Sequence, residues 1–247
     1  MIRKVTTVLA TAALAGAGLA GIGFGGPTEA AAQVVPAHAG SHGPCRNGYV
    51  GLTFDDGPSA TTDQLLAALR ASHLRATMFN IGTNAAANPT LVRAQLRAGM
   101  WVGNHTNTHP HLTQIGEPAA FDEIAVTQRT LRGITGRRPT LFRPPFGDTN
   151  DQVVADASRL RLLEVLWTVD SEDWNSATTE QIVAKAHTLQ PGGIILMHDW
   201  PPNTIAAVPL IAQDLRARGL CAGRIAFTPR DIPYGADHVF HAVAVRP

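Results

Sequence analysis

Basic clusters are missing from this sequence, and its net charge is small. The 247 residues carry a formal net charge of +1, and no run of the chain gathers lysine and arginine into a stripe. Nucleic acids and anionic membranes are bound mainly through such basic surface, so we expect neither as a partner. A neutral substrate suits this composition.

Cysteine is equally scarce, and no linker interrupts the chain after its first 39 residues. Cys45 and Cys221 lie near the two ends of the region expected to fold. We predict that they form a disulfide in an oxidising compartment, the alternative being two unpaired thiols.

Roughly 210 residues without a break fit one α/β domain better than two. We therefore predict one domain at residues 40–228 and a tail of unassigned role at 229–247.

Residues 1–39 are typical of a secretory leader. Two basic residues precede an apolar run rich in Ala, Gly and Leu that ends near Phe24, and small-x-small patterns typical of cleavage sites follow at 30–32 and 37–39. This order predicts a signal peptide, and hence a secreted, extracellular protein with no membrane anchor after cleavage. The alternative is an uncleaved anchor, but glycines interrupt the run.

Apolar runs and helical spacing alternate along the rest of the chain. Strands are predicted at about residues 49–54, 76–81, 100–103, 141–143, 162–169, 194–197 and 224–228. Helices are predicted between them, at about residues 65–69, 89–99, 121–134, 151–159, 178–190 and 206–218. Asn150 or Asp151 is expected to cap one of these helices, and Thr178 with Gln181 another. The alternation predicts an α/β fold, a distorted or incomplete (β/α) barrel with about seven parallel strands.

The most informative stretch ends the first predicted strand. Asp55 and Asp56 stand side by side after an apolar run and directly before Gly57 and Pro58. Two carboxylates at the point where a strand gives way to a loop are costly unless something compensates their charge. A divalent metal would do so.

His105 and His109, after the third predicted strand, are the candidate co-ligands. Their spacing predicts that both imidazoles lie on one side of a helical turn. Zinc-protease helices carry glutamate directly after the first histidine, whereas this chain has Thr106 there. The base must therefore come from the aspartate pair: one aspartate binds the metal, and its neighbour takes the proton from the attacking water.

Polar residues follow the ends of five predicted strands. They are Asp55 and Asp56, His105 and His109, Arg143, Asp170, and His198. The C-terminal ends of parallel barrel strands form one rim, and barrel active sites are built there. We therefore predict that these residues share one site.

These motifs, in this order, resemble those of the family-4 carbohydrate esterases, the polysaccharide deacetylases with a nodulation-type homology domain. The matching stretches are TFDDG (53–57), HTNTH (105–109), RPPF (143–146), DSEDW (170–174) and LMH (196–198). Each motif alone is weak, but five in order are highly specific. The resemblance covers about residues 45–221 and is greatest to secreted acetyl-xylan esterases.

The resemblance implies a base and a metal site. Asp55 would be the general base, and Arg143 would orient it. Asp56, His105 and His109 would hold one divalent metal ion, with zinc expected first and cobalt second.

The resemblance also implies that His198 is the general acid and that Asp170 pairs with it and keeps it cationic. An adjacent carboxylate favours imidazolium, so a histidine pKa that starts at about 6.5 would rise. Asp173 is assigned no role beyond capping a turn.

The substrate pocket is expected to have an apolar wall. Trp174 and Leu196 would enclose the acetyl methyl group, and the backbone amide of Phe146 would help to hold the oxyanion. The family usually has tyrosine at this last position, so any role of a phenol is lost here. Trp167 is expected in the core. Trp200 either stacks on a sugar or only covers the rim.

The implied function is that of a monomeric, secreted esterase that hydrolyses acetyl groups on acetylated polysaccharide or oligosaccharide, xylan first, by metal-activated water. No Gly-x-Ser-x-Gly motif points to a serine nucleophile. The alternative is an N-deacetylase of chitin oligosaccharides or peptidoglycan, which the motifs separate poorly.

Two hypotheses from other classes remain. Two histidines and one carboxylate are also the ligand set of iron(II) oxygenases. The second hypothesis is a carbohydrate-binding module without catalytic activity. Such a module would need neither Asp55 nor His198, so their presence argues against it.

Overall fold

A curled sheet of parallel strands organises residues 44–226, the part of the chain that the computed structural model describes. The strands are β1 (Tyr49–Gly57), β2 (Thr77–Asn80), β3 (Trp101–Asn104), β4 (Leu141–Phe142), β5 (Leu163–Glu164), β6 (Val169–Asp170), β7 (Ile194–His198) and β8 (Cys221–Ala222). Seven of them follow the order β5-β4-β3-β2-β1-β7-β6, and β8 pairs with β1. The predicted leader at residues 1–39 and tail at 229–247 lie outside the described residues.

Helices connect the strands and cover the sheet. They are α1 (Thr62–Ala71), α2 (Gly82–Ala87), α3 (Pro89–Arg97), α4 (Leu112–Ile115), α5 (Ala119–Thr135), α6 (Asp151–Arg159), α7 (Thr179–His187) and α8 (Pro202–Ala217). Two short 3-10 helices, Pro145–Gly147 and Asp173–Asn175, lie in the loops after β4 and β6. Over residues 44–226, no helix has the length and apolar character needed to cross a membrane. The predicted fold class, a distorted α/β barrel, is confirmed.

The core explains why β1 is fixed so firmly. Val50, Leu52 and Phe54 of this strand are at most 1% exposed, and they share one buried cluster with Leu65 of α1 and Ile211 of α8. Fully burying a side chain of this kind contributes roughly 1.5–3 kcal/mol. These three side chains alternate along β1 and share one face, so the strand that ends in the aspartate pair is held by packing of that face against α1 and α8.

The strand predicted at residues 162–169 is two short strands in the structure. β5 pairs with β4 and β6 pairs with β7, so the two lie at opposite ends of the sheet. Between them, the Val165 amide donates to the Phe142 carbonyl at 2.8 Å and the Thr168 amide donates to the Ile194 carbonyl at 2.9 Å. One straight strand cannot pair with both edges, so the chain bends although its apolar pattern continues. This segment links the two edges of the curled sheet.

Smaller differences from the prediction occur at element ends. β1 continues through both aspartates to Gly57 instead of turning before them. The last described strand is β8, where the Cys221 amide donates to the Gly48 carbonyl at 3.0 Å and the strand pairs with the start of β1. Of the strand predicted at residues 224–228, residues 224–226 are not in a strand, and residues 227–228 lie outside the described residues. The predicted disulfide between Cys45 and Cys221 is present and ties β8 to the chain before β1.

The two predicted helix caps are confirmed. The Asn150 side chain accepts a hydrogen bond from the Val153 amide at the start of α6. Thr178 and Gln181 form a reciprocal capping box at the start of α7. Such caps satisfy amides that have no partner inside the helix, so they set where α6 and α7 begin.

Candidate active site

The two aspartates at the end of β1 are neighbours in sequence with different partners. Asp55 is 2% exposed, and its Oδ1 accepts a hydrogen bond from Arg143 Nη1 at 2.9 Å. Asp56 has a φ of 69°, in the left-handed region that few non-glycine residues adopt. Such backbone is concentrated at functional sites. The turn directs Asp56 to the histidines while Asp55 stays with the arginine.

Arg143 is fully buried beneath the site. Its Nη1 donates to Thr53 Oγ1 at 2.7 Å as well as to Asp55, and its Nε donates to the Val165 carbonyl at 3.0 Å. Burial lowers the pKa of Arg143, and the charge and hydrogen bond of Asp55 offset part of that effect. Arg143 Nη2 also donates to the Leu166 carbonyl at 3.2 Å. With four fixed partners, the guanidinium holds one oxygen of Asp55 and leaves the other, Oδ2, directed elsewhere.

His105 and His109 converge, but not through a helical turn as predicted. His105 follows β3, and residues 105–109 form an irregular loop with left-handed φ values at Thr106 (62°) and His109 (66°). Thr106 Oγ1 accepts a hydrogen bond from the His109 amide at 3.1 Å, which curls the loop back. The two imidazoles therefore share one site as predicted, but a curled loop rather than a helical turn brings them together.

The hydrogen bonds decide which nitrogen of His105 faces the aspartates. Its Nδ1 lies 2.7 Å from the Arg143 carbonyl oxygen, which can only accept, so Nδ1 carries the hydrogen. Nε2, the other ring nitrogen, then faces the aspartates. Burial lowers the pKa of His109, with the charge of His105 as the next cause, so the neutral form of His109 is favoured.

Asp56, His105 and His109 fit a divalent metal. Their ligand atoms all lie within 4.8 Å of one another, and Asp56 Oδ1 is 3.5 Å from His105 Nε2 and 3.3 Å from His109 Nε2. Asp56 Oδ1 is buried and has no hydrogen-bond partner. Burial alone would raise the pKa of Asp56, but the neighbouring imidazoles lower it well below its usual range. A charged oxygen facing two ring nitrogens suits zinc, which binds such donors at about 2.0–2.2 Å.

Asp55 borders the same space without being part of this triad. Its Oδ2 lies 3.7 Å from His105 Nε2, while its Oδ1 is held by Arg143. One carboxylate thus faces the triad with a free oxygen, which is the arrangement that a general base requires.

His198, at the end of β7, pairs with Asp173. Its Nδ1 donates to Asp173 Oδ1 at 2.7 Å, and its backbone amide donates to Asp173 Oδ2 at 2.7 Å. Burial lowers the pKa of His198, but the hydrogen bond and charge of Asp173, followed by the charges of Asp55 and Asp56, raise it overall. His198 Nε2 lies 4.0 Å from Asp56 Oδ2, so the protonated ring faces the triad.

The predicted pairing of Asp170 with His198 is therefore wrong. Asp170 instead accepts hydrogen bonds from the Glu172 amide at 2.8 Å and from Trp174 Nε1 at 3.3 Å, which fixes the loop after β6. Glu172 has a φ of 58°, and this turn carries Asp173 inward, where Thr204 Oγ1 also donates to it at 2.6 Å. The DSEDW motif holds both aspartates, and sequence spacing does not show which of them the turn buries.

The walls of the pocket combine predicted and missed residues. The cavity has a volume of about 330 Å³. It is lined by Asp55, Asp56, His105, His109, Phe146, Trp167, Asp170, Trp174, Leu196, His198 and Trp200. Trp174 and Leu196 line it as predicted. Trp167 packs half-buried against the core cluster that contains Phe79 and Val165, as expected, and the bend between β5 and β6 also brings it to the pocket.

Phe146 lies against two histidines at the rim. Its ring contacts that of His109 edge to face, at 4.6 Å between centroids, and stacks on that of His111 at 3.9 Å. His111 Nδ1 lies 3.5 Å from Asp148 Oδ2. Nothing local in the sequence links His111 to the site.

Trp200 has a role that neither hypothesis for it included. Its Nε1 donates to Asp56 Oδ2 at 3.1 Å, so the indole holds one carboxylate oxygen while the other faces the two histidines. Groups that hydrogen-bond a metal ligand orient it for coordination.

We expect Trp200→Phe to weaken metal binding by about tenfold, because the ring stays while the N–H donor is lost. Competition with a chelator of known affinity measures this. The matched control is Trp174→Phe, whose indole donates to Asp170 rather than to a triad residue. Equal affinity in wild type and Trp200→Phe would contradict the orienting role.

Comparison with known proteins adds independent findings. A family sequence model described as "Polysaccharide deacetylase" matches residues 42–165. A family 4 carbohydrate esterase from Streptomyces lividans, solved in complex with acetate, is 57% identical, with a TM-score of 0.72 over 73% of this chain and 94% of that chain.

Two curated relatives are longer proteins. A bifunctional xylanase/xylan deacetylase of Cellvibrio japonicus is 45% identical over 181 residues, which is 72% of this chain and 27% of the relative. The peptidoglycan-N-acetylglucosamine deacetylase PgdA of Listeria monocytogenes is 36% identical over 178 residues, 70% of this chain and 37% of the relative. The chain thus spans well under half of the length of these two proteins.

Proposed function

Since the chain belongs to the polysaccharide deacetylase family, we propose that it is a metal-dependent esterase that removes acetyl groups from acetylated xylan. One observation carries the metal-dependent chemistry: the buried, unpartnered Asp56 Oδ1 faces two imidazole nitrogens beside the separately held carboxylate of Asp55. Similarity to a xylan deacetylase supports the choice of substrate. The leader-like residues 1–39 support the further proposal that the protein is secreted, and we expect it to act as a monomer.

The proposed reaction begins at Asp55. Its free Oδ2 takes a proton from the attacking water, and the water oxygen forms a bond to the acetyl carbonyl carbon. Arg143 keeps the carboxylate in place throughout, because its guanidinium is fixed by Thr53 and by the Val165 carbonyl. A divalent cation held by the triad would supply Lewis-acid polarisation of the carbonyl and make the water easier to deprotonate.

His198 completes the reaction as the acid. The ester C–O bond breaks, the sugar oxygen takes the proton from His198 Nε2, and acetate is released. Asp173 accepts a hydrogen bond from Nδ1 and raises the pKa of His198, which favours the protonated ring that carries the Nε2 proton. Trp174 and Leu196 are proposed to enclose the methyl group, and the Phe146 amide to stabilise the oxyanion.

A second candidate is N-deacetylation of peptidoglycan or chitin oligosaccharides. The 36% identity with a peptidoglycan deacetylase favours it, and an acid that protonates an alkoxide also protonates an amine. The pairing of Asp55 with Arg143 and of His198 with Asp173 argues against a module that only binds carbohydrate, since binding requires neither pair.

The substrate is tested by acetate release from a panel of acetylated xylan, chitin oligosaccharides and peptidoglycan. We expect acetate to be released fastest from acetylated xylan. A chelator should abolish this activity, and added zinc or cobalt should restore it. The activity should also persist without oxygen, which an iron(II) oxygenase would need. Faster release from an N-acetylated polymer would support the second candidate. Full activity in chelated, metal-free protein would overturn the metal-dependent mechanism.

A further inference from the structure

A second pocket in the structure is built mainly from arginines. It has a volume of about 200 Å³, and its only non-arginine lining residues are Ala125, Gln128 and Leu160. The arginines are Arg129, Arg132, Arg138, Arg159 and Arg161. They come from the second half of α5, the loop before β4 and the end of α6. Because these segments lead into β4 and β5, the pocket lies toward the end of the barrel opposite the active-site rim.

Most of these guanidinium groups have no acidic partner. Arg159 pairs with Asp156 at 2.9 Å and with Glu117 at 3.4 Å. Throughout residues 44–226, no carboxylate forms an ion pair with Arg129, Arg132, Arg138 or Arg161. A guanidinium offers five N–H donors in a fixed fork, so this pocket presents many donors that no described residue accepts.

A neighbouring groove extends the basic region. Its volume is about 600 Å³, and Arg138 lines both cavities. The groove adds Arg75, Arg137 and Arg224, and neither cavity has an aspartate or glutamate among its lining residues. We call these eight arginines, at positions 75, 129, 132, 137, 138, 159, 161 and 224, the arginine surface.

The arginine surface corrects an expectation from the sequence. The absence of a lysine and arginine stripe along the chain indicated that no basic cluster would form. The fold instead gathers arginines from α5, from the loops before β4 and β5, and from the chain after β8. A chain with a net charge of +1 therefore carries one strongly basic face, and such a face attracts anions.

We infer that the arginine surface binds an acidic polysaccharide through its carboxylate groups. Several guanidiniums spread over two adjoining cavities suit a polymer with repeated anions better than one small anion, and each fork matches a carboxylate with two parallel hydrogen bonds. Arg75 lies over the Trp101 ring, 4.3 Å from its centroid, so that face of the ring is already covered and does not offer a stacking surface for a nucleic-acid base.

That the polymer is a polysaccharide rests on the proposed function, whereas the binding of carboxylates rests on the arginines alone. Holding an acid-substituted chain at this end of the barrel would raise the local concentration of acetylated sugar at the rim. The arginine surface would thus select acetylated polymers that also carry uronic acids.

The test compares two triple variants that lose the same charge. Arg129→Gln/Arg132→Gln/Arg138→Gln changes the pocket, and Arg70→Gln/Arg93→Gln/Arg97→Gln changes exposed arginines outside both cavities. Binding of each full-length protein to polygalacturonate and to neutral xylan is measured by titration calorimetry at low and high salt. Thermal melting checks that both variants are folded.

We expect the pocket variant to lose about tenfold or more in affinity for polygalacturonate, the control variant to change by less than about twofold, and high salt to weaken wild-type binding. Affinity for neutral xylan should be the same in all three proteins. Equal losses in both variants, no wild-type binding of polygalacturonate, or tighter wild-type binding of a DNA oligonucleotide of matched charge would overturn the inference.

The two proposals fail separately. Acetate release from short, uncharged acetylated xylo-oligosaccharides depends on the rim alone, so we expect the pocket variant to keep wild-type rates on them. If wild type lacks that activity but the pocket variant still shows the selective loss of polygalacturonate binding, the substrate proposal fails and the carboxylate site stands.

Discussion

Replacing Asp55 by asparagine is expected to lower kcat by about 10³-fold while one equivalent of metal stays bound. General bases contribute about 10²–10⁴-fold, and an amide cannot take a proton from water. Asparagine has the same shape, and its oxygen can still accept the hydrogen bond from Arg143. Because Asp55 lies outside the triad of Asp56, His105 and His109, metal content should not change. Steady-state kinetics and elemental analysis of the same preparation measure both quantities.

The companion variant separates base from ligand. His105→Ala removes one of the three side chains of the triad, so we expect this variant to lose both the bound metal and the activity. His187→Ala is the control, because His187 pairs with Asp214 at 2.6 Å, away from the pocket. Loss of metal in Asp55→Asn, or retention of more than about a tenth of wild-type kcat, would show that base and ligand are assigned wrongly.

Asp173→Asn is expected to cost about 10²-fold in kcat/KM and to shift the pH profile. The charge of Asp173 raises the pKa of His198, so its removal lowers that pKa. The acid then loses its proton at lower pH, and the alkaline limb of kcat/KM moves toward lower pH. A shift of one pKa unit corresponds to about 1.4 kcal/mol between the two protonation states.

Asp170→Asn is the matched control for this prediction. It makes the same substitution three positions earlier in the same motif, where the side chain contacts Glu172 and Trp174 rather than His198. Its alkaline limb should coincide with that of wild type. If Asp170→Asn shifted the limb and Asp173→Asn did not, the pairing read from the structure would be refuted.

Local sequence signals predicted the elements that carry the site. The apolar run before Asp55 gave a strand because residues 50–54 are all buried, and the caps at Asn150 and Thr178 act within four residues. The run at residues 162–169 misled because its apolar pattern continues through a bend that only the two distant sheet edges impose; Leu166 and Trp167 are half-buried there and Thr168 is exposed. The apolar pattern of a segment indicates which residues face the interior, but it does not indicate which strand the segment pairs with.

The site residues missed from the sequence are those whose role depends on a turn or on a distant contact. Asp173 becomes the partner of His198 because of the left-handed turn at Glu172. Trp200 reaches Asp56 across 144 positions of sequence. The arginine surface was missed because its members come from separated segments. No local pattern records such contacts, whereas the motif residues themselves could be identified from their order along the chain.

The central claim is that one cation is held by Asp56, His105 and His109 with Asp55 left free beside it. Anomalous diffraction at the zinc edge, from crystals of the zinc-loaded protein, tests it most directly. The account predicts one strong peak about 2.0–2.2 Å from Asp56 Oδ1 and from Nε2 of both histidines, with Asp55 still bound to Arg143 and not to the metal. A peak coordinated by Asp55 in place of Asp56, or a strong peak only at another site, would contradict it.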